Sequence, residues 1–91
     1  MAAFPPDDIA ITTRHVMEAG WPILLVTHDD DDGAWQFVNG HGDTDDTESA
    51  MVIRAVGILA VDATISELVD LPLGWRAWRE TADAPWERGP R

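Results

Sequence analysis

The sequence predicts an α+β fold, an antiparallel sheet of about four strands with two helices packed on one face. Three observations carry this. Short β-prone runs stand at residues 9–11, 23–27, 35–38 and 75–80. The pair Asp32-Gly33 lies between the second run and the third. From Ala50 to Val69 the apolar residues recur at helical spacing.

Residues 1–8 read as a flexible tail, because Pro5-Pro6 prevents a helix there. Ile9–Ile11 reads as a short strand. Thr12 or Thr13 N-caps a brief helical turn through Glu18, closed by Gly20; a continuous strand over 9–18 is the alternative. Ile23–Thr27 and Trp35–Val38 pair as a hairpin. Asp-Gly suits the positive φ of a tight turn, and the loop length calls for a bulged or four-to-five-residue connection. Residues 39–49 form a polar loop rich in turn formers.

Beyond the loop, Met51–Val61 suits a mostly buried helix, entered by a short strand at Met51–Ile53. Asp62 is a natural N-cap for a second helix, Ala63–Val69, ended by Leu71-Pro72-Leu73-Gly74. Trp75–Glu80 reads as a strand, Ala82–Pro85 as a turn and Trp86–Arg88 as a closing strand. One α+β domain therefore spans 9–88, with 89–91 as a second flexible tail. Period two in the strands and helical spacing beyond residue 50 predict a core of Ile23, Leu25, Trp35, Phe37, Val56, Leu59, Ile65, Leu68 and Leu71.

The chain has 91 residues, a net charge of −11 and no cysteine. The length sets one domain, and 45% hydrophobic content is ordinary for a folded one. Without Cys there are no disulfides, thiolate metal sites or Cys nucleophiles. The N-terminal residues lack the basic and apolar regions of a secretory signal, and no apolar stretch is long enough to span a bilayer; a cytoplasmic location is expected. Seventeen acidic residues face six basic ones, all Arg. That balance opposes binding to nucleic acid or to an anionic membrane and favours a basic protein partner. The charge is uneven. No Arg lies between Arg14 and Arg54, an interval holding Asp29, Asp30, Asp31, Asp32, Asp43, Asp45 and Asp46.

The motifs of chemistry are incomplete. With Gly33 at the sixth position of a calcium loop, His28 falls at the first and Asn39 at the twelfth, and neither suits. His28 and His41 have no metal-motif spacing, and neither Ser49 nor Ser66 lies in a nucleophile elbow. No catalytic residue, metal or cofactor is assigned, and the protein is not expected to be an enzyme. Of five tryptophans, Trp75 and Trp78 attract notice, since strand alternation bears on which of them faces the core. An exposed Trp78 flanked by Arg76 and Arg79 has the composition of an interface hot spot.

The run ILLVTHDDDDGAWQFVNG, the segment DATISELVDLP and the closing LPLGWRAWRE resemble small bacterial proteins of uncharacterised function. These are similar to a domain family grouped with immunity proteins of polymorphic toxin systems. The resemblance covers about residues 9–80, and its most specific parts are THDDDDGAWQF at 27–37 and DLPLGWRAWR at 70–79. It implies an α+β domain that acts by binding and blocking a toxin.

The expected function is thus a small acidic protein-binding module, immunity-like, that occludes a basic partner surface. Its binding residues would be Asp29–Asp32, Asp43, Asp45, Asp46, Arg76, Trp78 and Arg79. The alternative is a metal-dependent or small-molecule enzyme using the loop carboxylates with His28 or His41. A third reading is a fold with a homo-oligomer interface and no ligand site.

Overall fold

The computed structural model describes residues 4–91, most of whose ordered elements join one sheet. Its strands are β1 (Ile9–Thr13), β2 (Leu25–His28), β3 (Trp35–Val38), β4 (Ala50–Arg54), β5 (Trp75–Trp78) and β6 (Glu87–Pro90). Their order across the sheet is β4-β1-β3-β2-β5-β6. The β1–β3 pair is parallel and every other pair is antiparallel. The β2–β3 hairpin is formed, with Gly33 at φ 75° in its turn. A side chain at that position would be held in the left-handed region, which Gly enters at little cost.

The expected architecture of about four antiparallel strands under two helices is therefore incorrect: the sheet has six strands and is mixed. Among the described residues the only α-helical segment is α1 (Arg14–Met17), N-capped by Thr13, whose Oγ1 accepts from Val16 N–H. Residues 50–54 form strand throughout, and the two expected helices are 3-10 helices over Ala55–Ala60 and Ala63–Leu68. Their composition explains the difference. Gly57, Val56 and Ile58 occupy the first, Thr64 and Ile65 the second, and both are short; Gly and β-branched residues weaken an α-helix. The buried pairs Ala55/Ile58 and Ile65/Leu68 are three residues apart, the spacing at which 3-10 side chains eclipse.

That period also corrects the core. Val56 is exposed and Leu59 only half-buried, because the three-residue phase buries Ala55 and Ile58 instead. In β2 it is Val26 that faces inward, opposite Phe37 and Ala77, while Leu25 points to the other face. Ile23 precedes the strand and is buried without obeying its alternation. Trp35, Phe37, Ile65, Leu68 and Leu71 are buried as expected.

The two ends of the chain join the domain. Phe4 is 3% exposed and meets Trp35 and Phe37 edge-on, with centroids 4.8 and 5.7 Å away. Residues 4–8, expected as tail, thus seal one end of the core; residues 1–3 of that expected tail lie outside the described residues. At the other terminus Gly89 and Pro90 belong to β6, and Arg91 donates to Asp29 at 2.6 Å. Pro5-Pro6 prevents a helix but does not prevent packing, and a strand needs less local propensity than the few β-prone residues at 86–91 suggest.

The core cluster packs on a single face of the sheet. Ala10, Val26, Trp35, Phe37 and Ala77 point into it, and Ile58, Ile65 and Leu68 of the 3-10 helices close over them. Strand alternation sends the other set, Ile9, Ile11, Leu25, Gln36, Val52, Arg76 and Trp78, to the opposite face.

Candidate functional site

That opposite face is only partly covered. The loop after β3 overhangs one end of it, burying Val38 and Thr13. The overhang leaves a groove of about 210 Å³ with Ile11, Gln36 and Val38 among its lining and Asp46 and Thr47 on the loop side. Beyond the loop, Ile9, Ile11, Val52 and Trp78 are exposed, Val52 by 72%. Trp78 lies across β6, where a Cβ on Gly89 would sit 3.5 Å from the ring. The Arg76 guanidinium stands 5.5 Å from the Trp78 ring centroid. Trp75, three residues back, turns to the core side and packs against the core cluster.

The acidic residues divide between the two ends of this face. Asp29–Asp32 occupy the β2–β3 turn. The loop carrying Asp43, Asp45 and Asp46 leaves β3 at its far end. Four residues of β3 separate the two sets by about 10 Å, at ~3.3 Å per residue. That exceeds the Debye length of about 8 Å at physiological salt, so they act as two poles.

The poles are not free carboxylates throughout. Asp29 accepts from Arg91 at 2.6 Å and from Gln36 Nε2 at 3.3 Å. Asp32 accepts from Ala34 N–H at 2.9 Å and shapes the turn. Asp30 and Asp31 are exposed at its tip, as are Asp45 and Asp46 at the other pole.

Asp43 is not a surface residue. It is fully buried and accepts from Thr13 Oγ1 (2.9 Å), Asn39 N–H (2.8 Å) and Gly40 N–H (2.8 Å). Burial by itself pushes its pKa up, but these hydrogen bonds outweigh burial and hold the carboxyl below its ordinary value. Asp43 pins the polar loop to the end of β1. Its folded-state pKa lies below 3.8, so its contribution is complete above that value and lost as pH falls through the lower one. Asp43→Asn replaces an acceptor oxygen by a donor among donors and should cost about 1–3 kcal/mol at pH 7. Urea titrations from pH 7 down should show the gap to the native protein closing below about pH 3.8; a gap unchanged across that window would mean Asp43 is protonated in the fold.

Arg79 is likewise removed from the surface expected for it. Its side chain is buried, and its Nη2 lies 2.6 Å from Asp62 Oδ2. Strand alternation places it beside Ala77 rather than Trp78, so the exposed pair is Arg76 and Trp78. Sequence reasoning missed Ile9, Ile11 and Val52 as surface residues. Their signal was alternation with Ala10, Thr12 and Ile53, which also reads as an edge of the core.

His28 and His41 do not meet. His28 Nδ1 is 2.8 Å from Leu71 O, and its ring stacks on Trp35 at 3.8 Å. His41 is exposed in the loop at the opposite end of β3. Among the described residues no three His, Asp or Glu side chains come close enough to hold a metal ion. No helix among them is long and apolar enough to cross a membrane.

Comparison of the chain with protein-family models, with curated proteins and with solved structures gives no match.

Proposed function

We propose that the protein is an acidic protein-binding module that docks a basic partner across its uncovered sheet face. The observation that carries this is the face itself, where exposed Ile9, Ile11, Val52 and Trp78 lie between two acidic poles. An apolar centre inside a charged rim is the anatomy of a protein interface. Trp78 under Arg76 supplies an anchor of the kind that dominates binding energy. Three of the six Arg, Arg79, Arg88 and Arg91, are consumed in internal ion pairs, which leaves the acids in large excess for the partner. The same excess sets the module against phosphate backbones. The resemblance to immunity proteins supports a toxin as the partner.

The test is a paired capture experiment from the source cell. The native protein and an Ile11→Ser/Trp78→Ser variant are immobilised side by side, and retained proteins are identified and ranked by charge. The expected result is a basic protein held by the native face and lost from the variant. Equal retention by both would remove the face from the reading, and retention of only acidic proteins would remove the charge argument.

A further inference from the structure

The two edges of the sheet are built differently. β6 at one edge reads Glu-Arg-Gly-Pro, and charge, Gly and Pro are the devices that keep an edge from pairing. β4 at the other edge reads Ala-Met-Val-Ile-Arg over five paired residues, with no Pro, Gly or bulge and a single charge, Arg54, at its end. It is the edge that an incoming strand would find open.

The register shows which groups it offers. Ala55 N–H donates to Asp8 O at 2.9 Å, continuing the β1–β4 ladder by one step. Residues 51, 53 and 55 therefore turn their backbone groups toward β1, and residues 50, 52 and 54 turn theirs away from it. Ala50 N–H is already bonded to Thr47 O. The outward set is then Ala50 O, Val52 N–H, Val52 O, Arg54 N–H and Arg54 O.

We infer that this edge pairs with the same edge of a second copy, antiparallel, about a two-fold axis through Val52. In that register each Val52 exchanges both bonds with its counterpart, and each Arg54 N–H reaches the other copy's Ala50 O. Four bonds form in total; of the outward groups only the Arg54 carbonyl, whose counterpart Ala50 N–H is held by Thr47 O, stays outside the ladder. The side chains agree with it. Val52 faces Val52, which suits an apolar cross-strand pair, and no like charges stand opposite. Arg54 comes beside Ala50 and the Thr47–Ser49 turn of the other copy, where Glu48 is exposed. Antiparallel pairing thus brings the one Arg of this edge to an acidic loop twice over. The result is a twelve-stranded sheet whose two uncovered faces run together. This inference stands apart from the partner-binding reading, since it uses the edge and not the face.

The test needs only the purified chain. Light scattering across about 10 µM to 1 mM should show the mass rising from 10.0 kDa toward about 20 kDa, as for an isologous dimer. Amide exchange read residue by residue over the same range should slow at Val52 and Arg54, while Met51 and Ile53 stay protected throughout. Val52→Pro removes an outward N–H and no bond to β1, and should hold the mass at 10.0 kDa. Should that chain fail to fold, Val52→Asp sets two carboxylates across the axis at a site already 72% exposed, with the same expected mass. Ile11→Ser, on the face and off the edge, should leave dimerisation intact. A native mass fixed at 10.0 kDa would overturn the inference. So would dimerisation abolished by Ile11→Ser, or protection that spreads over the face without favouring Val52 and Arg54.

Discussion

Arg79→Ala should lower stability by about 3–5 kcal/mol, the cost of breaking a buried ion pair from one side. The guanidinium is the junction of four segments. Its Nε donates to Ile23 O at 3.0 Å, ahead of β2. Its Nη1 donates to Thr64 Oγ1 at 3.1 Å and to Ala82 O at 3.0 Å. Its Nη2 donates to Asp62 at 2.6 Å. The Trp86 ring lies 4.2 Å from its Cζ. Removing it orphans two carbonyls and leaves the Asp62 carboxylate, 20% exposed, without its cation. Burial pushes the Asp62 pKa up, and hydrogen bonds from Thr64 and Arg79 hold it below its ordinary value, so the variant also loses part of its advantage near neutral pH. Asp62 keeps a second duty, accepting from Thr64 N–H at 3.0 Å as cap of the 3-10 helix. A double variant with Asp62→Asn keeps an acceptor there without the stranded charge. It should be less destabilised than the sum of the singles by about 0.5–3 kcal/mol. Chemical denaturation of the four proteins measures it; strict additivity would mean that Arg79 stabilises the fold without coupling to Asp62.

Local features of this fold were legible and global ones were not. The Asp32-Gly33 turn, the Thr13 cap, the Gly20 stop and the Asp62 cap are short-range signals, and each residue does in the structure what its chemistry indicates. The parallel β1–β3 pair joins residues about twenty-five apart, and nothing in either strand encodes that neighbour. In the run Ile23–Val26 every residue is apolar, so alternation carries no phase and cannot choose between Leu25 and Val26 as the inward residue. At 55–68 the apolar spacing admits both 3.6 and 3 residues per turn, and only packing against the sheet selects the second. Two residues of the candidate site were hidden for the same reason. Asp43 and Arg79 read as surface charges because their residue types are mostly exposed, whereas each is buried by partners distant in sequence, Thr13 and Asp62. Phe4 escaped because two prolines beside it outweighed one aromatic.

Trp35→Ala should cost about 3–5 kcal/mol, the range for deleting a large buried aromatic. Trp35 is 1% exposed and lies at the crossing of the layers. It stands on β3 between Ala10 of β1 and His28 of β2, so its loss opens a cavity at the centre of the mixed sheet. His28 stacks on one face at 3.8 Å, Phe4 meets it edge-on at 4.8 Å, and Phe37 lies 6.0 Å along the strand. Aromatic pairs of this kind add to area burial, so the upper half of the range is expected. The indole N–H donates to Asp8 Oδ2 at 3.2 Å, tying the segment before β1 to the hairpin. Trp35→Phe keeps most of the packing and loses that bond, and should cost less, about 1–3 kcal/mol. The local consequence separates the two variants. Without the indole, Phe4 loses its principal contact, and residues 4–8 should become cleavable by protease in Trp35→Ala while remaining protected in Trp35→Phe. Unfolding titrations give the energies, and limited proteolysis with mass spectrometry gives the cut sites. Resistance of residues 4–8 in Trp35→Ala would show that Phe37 alone suffices to hold Phe4 in the core.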